Sequence, residues 1–211
     1  MNRVRTLSLL CLVSLTLLCV DPEPASAGLV RFFAEVDAGV GFPTNDSYGE
    51  AGFATKAMFG VGGRFRNVPL AIYGFVGLDW DHFEKDHLGT FHRAELLSND
   101  WTVSLGVRFI LRVAKRFRIV LDAAGGYHGM HAAAWVDGRE RVVDTTGEPV
   151  PVFGIGLQYR ITKYFAVGVS GDFTLLTEGR WPDIPVLAAG IRPARGEQWQ
   201  NNLFVTTTFD F

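Results

Sequence analysis

Five histidines, His82, His87, His92, His128 and His131, fall close in sequence to Asp79, Asp81, Glu84 and Asp86. Imidazole and carboxylate together are good ligands for zinc and related metals. In an extended chain, however, His128 and His131 point to opposite faces, and the other three histidines sit in a long polar stretch. Solvated histidines are the expectation, and no metal site is assigned. A serine nucleophile needs a histidine within hydrogen-bond reach. Ser104 and Ser170 lie on the same polar parity as the strand position of His128, but no His-x-Ser pattern appears, so no catalytic residues are expected. The Gly125-Gly126 pair precedes no helix and is no phosphate loop. The chain is therefore read as a non-enzyme with no cofactor.

Charge excludes other classes. The chain has 211 residues, 48% hydrophobic and 20% charged, with a net charge of -2, 24 glycines and 17 phenylalanines. So small a net charge argues against a nucleic-acid partner, and the aromatic content argues against disorder. Both cysteines, Cys11 and Cys19, lie near the N-terminus, so nothing beyond them is stapled by disulfides or by a cysteine metal site.

Arg3 and Arg5 are followed by an apolar run from Leu7 to Val20 and by Ala25-Ser26-Ala27, the layout of an export signal with a small-residue cleavage site. Residues 1–27 are expected to be a cleaved signal peptide and residues 28–211 the folded domain. The longest other apolar run, Val68 to Leu78, is too short to cross a bilayer as a helix.

From residue 31 onward the sequence alternates with a period of two in eight segments, each pairing an apolar parity with a small or charged one. In the first, Phe32, Ala34, Val36, Ala38, Val40 and Phe42 alternate with Arg31, Phe33, Glu35, Asp37, Gly39 and Gly41. Comparable patterns run over 53–65, 72–81, 101–111, 117–128, 153–161, 165–175 and 199–211. A water-soluble sandwich or barrel would present its polar parity to solvent. Here that parity is crowded with glycine and holds few long polar groups, which suits the inside of a narrow barrel whose apolar side chains face lipid.

Aromatic positions sharpen this reading. Phe42, Phe53, Trp80, Trp101, Tyr127, Phe153, Phe173 and Trp199 place one ring at the same end of every segment, as an outer aromatic girdle would. Phe32, Phe65, Phe117, Tyr159, Phe165 and Phe209 recur at the other end. Ten residues from Phe32 to Phe42 make about 33 Å of strand, which rises about 25 Å at a tilt of roughly 40°. Short turns are expected at 66–69, 113–116 and 162–164, and longer connections at 43–52, 82–100, 129–151 and 176–198. The fold class that follows is all-β: an eight-stranded antiparallel transmembrane up-and-down β-barrel with short periplasmic turns and longer external loops.

The expected lumen carries Glu35, Asp37, Asp79, Asp81, Asp122, Asp172 and Asp210 with Arg31, Lys56, Arg64, Arg108, Arg118 and Arg160. Charges in a tight interior persist when paired. An ion-pair plug is expected, with Glu35 and Asp37 adjoining Lys56 and Arg64. Trp135, Trp181, Arg139, Arg141, Arg180, Arg192 and Arg195 are expected on external loops, where arginines pair well with lipopolysaccharide phosphates.

Taken together, the chain resembles the small eight-stranded outer-membrane proteins typified by the OmpA transmembrane domain, OmpX and OmpW. Its final residues, Leu203, Val205, Thr207, Phe209 and Phe211, resemble the C-terminal signal by which the barrel assembly machinery receives its substrates, although Thr207 stands where an apolar residue is usual. The resemblance implies residence in the cell outer membrane, with outer-membrane lipids and lipopolysaccharide around the barrel. A structural or interaction role through external loops is expected, with a passive conduit for small or hydrophobic solutes, as in OmpW-like barrels, as the alternative and a lipid-modifying enzyme behind both. Unboiled folded protein is expected to migrate differently from boiled protein in a denaturing gel; identical mobility would count against a closed barrel.

Overall fold

The computed structural model describes residues 30–43, 51–65, 69–88, 93–136, 139–176 and 198–211. The expected signal peptide, His92, Trp181, Arg180, Arg192 and Arg195 lie outside the described residues. Eight strands form in chain order: β1 (Arg31–Pro43), β2 (Gly52–Arg64), β3 (Leu70–Leu88), β4 (Arg93–Arg112), β5 (Phe117–Val136), β6 (Arg139–Arg160), β7 (Phe165–Leu176) and β8 (Gln198–Asp210). Each pairs antiparallel with the next, and β8 returns to β1 to close the barrel.

Alternation in the sequence becomes alternation between inside and outside because successive strand side chains point to opposite faces. Along β3, Ala71, Tyr73, Phe75, Asp79 and Asp81 are buried, while Val76, Leu78 and Trp80 are exposed. The described turns are tight. Val113 and Ala114 amides both donate to the Phe117 carbonyl, and Ile161 and Thr162 amides to that of Phe165.

Two of the expected long connections are mostly strand. β3 and β4 pair as far as Leu88 with Arg93, and β5 and β6 as far as Val136 with Arg139, with a register shift at Ala134/Trp135. Hence β3 to β6 run to 19, 20, 20 and 22 residues, against 12 or 13 for the other four. Trp135 falls in β5, and Arg139 and Arg141 in β6, rather than in loops. The ladder needs only backbone pairing, so it continues where the greasy alternation that marks the strands in the sequence has stopped. The result is a four-stranded wall rising past one side of the barrel at the end away from the short turns, here termed the loop end.

Gly39 lets β1 and β8 approach: a Cβ there would run into the Leu203 carbonyl of β8. Backbone cannot yield as a flexible side chain does. Gly39→Val is expected to cost about 1–3 kcal/mol, the usual range for overpacking, measured by denaturant unfolding of the refolded barrel. Gly74→Ala, whose Cβ would find no neighbour nearer than 4.0 Å, is the control and should leave the midpoint unchanged.

Candidate functional site

The small cross-section of eight strands brings inward side chains from opposite walls into contact. Arg108 on β4 reaches Glu35 on β1 with two nitrogens, Nη1 to Oε2 at 2.8 Å and Nη2 to Oε1 at 2.7 Å. The same guanidinium holds Asp122 on β5 through Nε at 2.8 Å and Nη2 at 2.7 Å. Planar Arg is suited to such forked pairing. Gln158 on β6 donates to Glu35 at 2.9 Å and to the Thr208 hydroxyl at 3.0 Å, and Thr208 on β8 donates to Glu35 at 2.6 Å.

A second tie crosses the lumen beside it. Lys56 on β2 donates to Asp172 on β7 at 2.7 Å and lies 3.1 Å from Asp37 on β1. Arg118 on β5 reaches Asp210 on β8 at 2.6 Å. Asp79 and Asp81 are buried toward the loop end, where Asp81 accepts from Gln200 and Asn202. Arg64 and Arg160 are half-buried near the short turns. The expected contact of Arg64 with Glu35 and Asp37 does not form, because the register sets Glu35 opposite Met58 and Asp37 opposite Lys56, and β1–β2 pairing ends at Arg31–Gly62.

Part of the filling is apolar, which charge and glycine content alone did not reveal. Phe33, Met58, Tyr73, Phe75, Ile110 and Val120 form a buried cluster below the Arg108 group. The Arg108 guanidinium lies 4.7 Å from the Phe33 ring centre, within cation–π range. These aromatics sit on the charged parity, so the signal was present in the alternation. Gln158 and Thr208 likewise carried no motif and became visible only through register.

His128 does meet a hydroxyl, but that of Thr102, 3.0 Å from Nδ1. Its Nε2 lies 3.9 Å from Asp100, beyond hydrogen-bond length, and Asp100 accepts instead from Ser98. His128, Thr102 and Asp100 are each buried at 3% exposure. His82 bonds Asn99 at 2.8 Å and Glu84 at 3.1 Å at the base of the wall. Among the described residues, no group of three histidine, cysteine or acidic side chains is placed to hold a metal. In the turn after β4, Arg116 donates to the Tyr159 hydroxyl at 2.8 Å, which holds its guanidinium further up than usual.

The outside inverts this chemistry. Phe42, Phe53, Trp80, Trp101, Tyr127, Phe153, Phe173 and Trp199 are 37–51% exposed. Neighbouring rings touch, Trp101 with Tyr127 at 5.9 Å and, at the other end, Phe117 with Tyr159 at 5.1 Å. Between the two bands of rings, no acidic or basic residue stands on the outward parity of any strand. A surface that bare of charge, wrapped around a polar interior, is made for hydrocarbon. The chain is an outer-membrane-type β-barrel.

Solved structures are similar to this chain over most of its length. Ail, the attachment invasion locus protein of Yersinia pestis, aligns over 88% of this chain and 99% of its own at 8% identity and a TM-score of 0.48. Neisserial surface protein A aligns over 86% and 97% at 9% identity and 0.45, and the N-terminal barrel domain of Pseudomonas aeruginosa OprF over 85% and 97% at 14% and 0.38. No protein-family model and no curated protein sequence matches the chain.

Removing Arg108 strands two buried carboxylates. Arg108→Ala is expected to destabilise the outer-membrane-type barrel by about 3–5 kcal/mol in denaturant unfolding. Arg108→Met with Glu35→Gln and Asp122→Asn should recover most of that loss, because no uncompensated charge remains.

Proposed function

We propose that this chain is a closed, non-conducting outer-membrane barrel that acts through its loop end, as a structural or interaction protein. The observation that carries this reading is the set of bonds strung across the lumen between strands that are not neighbours: Arg108 to Glu35, Lys56 to Asp172 and Gln158 to Glu35. A conduit needs a path of water or solute along the axis, and these ties cross that path. The wall of β3 to β6 supports the loop-end role, since it extends ordered surface past the outer aromatic ring.

The barrel exterior takes outer-membrane lipids, with lipopolysaccharide at the loop end. Leu203, Val205, Phe209 and Phe211 form an exposed outward row on β8 and the residue after it, with Thr207 half-buried among them. That row is the surface we assign to the barrel assembly machinery.

Purified wild-type protein in planar bilayers is expected to show no discrete openings, while a folded R108A/E35A/D122A variant should show them. Reproducible steps from the wild type would overturn the plug and favour the conduit for small or hydrophobic solutes.

A further inference from the structure

At the short-turn end the lumen opens into a small recess of about 40 Å³. Arg31, Arg64, Arg112, Arg118 and Arg160 converge on it from five different strands, and Asp210 is the one acid lining it. Arg118 already occupies one Asp210 oxygen. Among the described residues, no carboxylate pairs with Arg31, Arg64, Arg112 or Arg160. Cations gathered against an apolar wall of Leu70, Ala71 and Ile110 repel one another.

Unmade bonds belong to residues of the same lining. Arg118 is buried at 5% exposure, yet its Nη2 has no partner, and neither has Arg160 Nε. Buried donors left unmatched are costly. The remaining Asp210 oxygen, Oδ1, is an unmatched acceptor. A ligand that completes the site must therefore carry negative charge, accept from several guanidinium N–H groups and offer one proton to a carboxylate.

We propose that this recess binds inorganic hydrogen phosphate from the periplasmic side. Guanidinium forks match phosphate oxygens, and near neutral pH inorganic hydrogen phosphate still bears an O–H that donates to Asp210. Sulfate and phosphodiesters, including phospholipid headgroups, bear none, and a phosphate monoester, with its second pKa at about 6, is mostly stripped of its own. They leave the carboxylate facing an oxygen lone pair. Asp210 thus sets the specificity, and the arginines supply the attraction. The site requires the barrel geometry but not the closed-lumen role proposed above.

Calorimetric titration of the refolded barrel, in non-ionic detergent and chloride buffer, tests this with inorganic phosphate, phosphoserine, sulfate and glycerophosphocholine. Saturable one-to-one binding is expected for inorganic phosphate. Sulfate, phosphoserine and the diester should bind roughly tenfold more weakly or not at all. Asp210→Asn should erase the preference over sulfate. R64Q/R112Q, which disturbs no ion pair seen here, should weaken phosphate by roughly tenfold or more, with gel mobility confirming the fold. R64K/R112K provides a charge-preserving second variant with intermediate affinity. Absence of saturable phosphate binding, equal affinity for sulfate or phosphoserine, or unchanged phosphate affinity in a folded form of either double variant would overturn the proposal.

Discussion

Backbone hydrogen bonding in hydrocarbon is the constraint from which the other features descend. An N–H or C=O facing lipid has no water to fall back on, so a sheet there must leave no open edge. Eight strands meet that demand with β8 paired to β1. Closure at eight also fixes the width, and that width is so small that side chains from opposite walls touch. The interior cannot stay empty, and what fills it determines what the barrel can do.

The filling changes along the axis. Arginines crowd the short-turn end, an apolar cluster lies above them, and forked ion pairs bind the middle. Toward the loop end come Asp79, Asp81 and Asp100, the last two bonded to amides and a hydroxyl rather than to cations. Each tier obeys the same rule, that a buried charge must find a partner, but they meet it unequally. The middle pairs its cations with carboxylates and leaves spare acceptors on Asp37 and Asp172, whereas the short-turn end is left with surplus donors on Arg118 and Arg160.

Much of this was legible in the sequence. The inward set from Glu35 to Asp210 and the outward rings from Phe42 to Trp199 follow from a period of two, because strand geometry converts parity directly into side. Partner identity was not legible. Arg108 meets Glu35 across the lumen from a non-neighbouring strand, and only the barrel's registers bring them together. The wall of β3 to β6 escapes the sequence pattern for a related reason. Residues 82–100 and 129–151 lack the greasy alternation that membrane burial imposes, although their described backbones go on pairing as far as Leu88 with Arg93 and Val136 with Arg139. The arginine recess combines both difficulties, since Arg31, Arg64, Arg118 and Arg160 were legible as inward charges while their convergence with Arg112 was not.

The seam between β1 and β8 governs the order in which the molecule can be made. It joins Phe33 to Asp210 and Gly39 to Phe204, so the two margins being sewn together lie at opposite extremes of the described chain. Every hairpin between consecutive strands can form locally, but this junction waits for all of them and carries the largest loop-closure entropy. Until it forms, β1 presents a bare margin that acyl chains will not tolerate. Entry into the bilayer and completion of the cylinder must therefore be a single event, not successive ones.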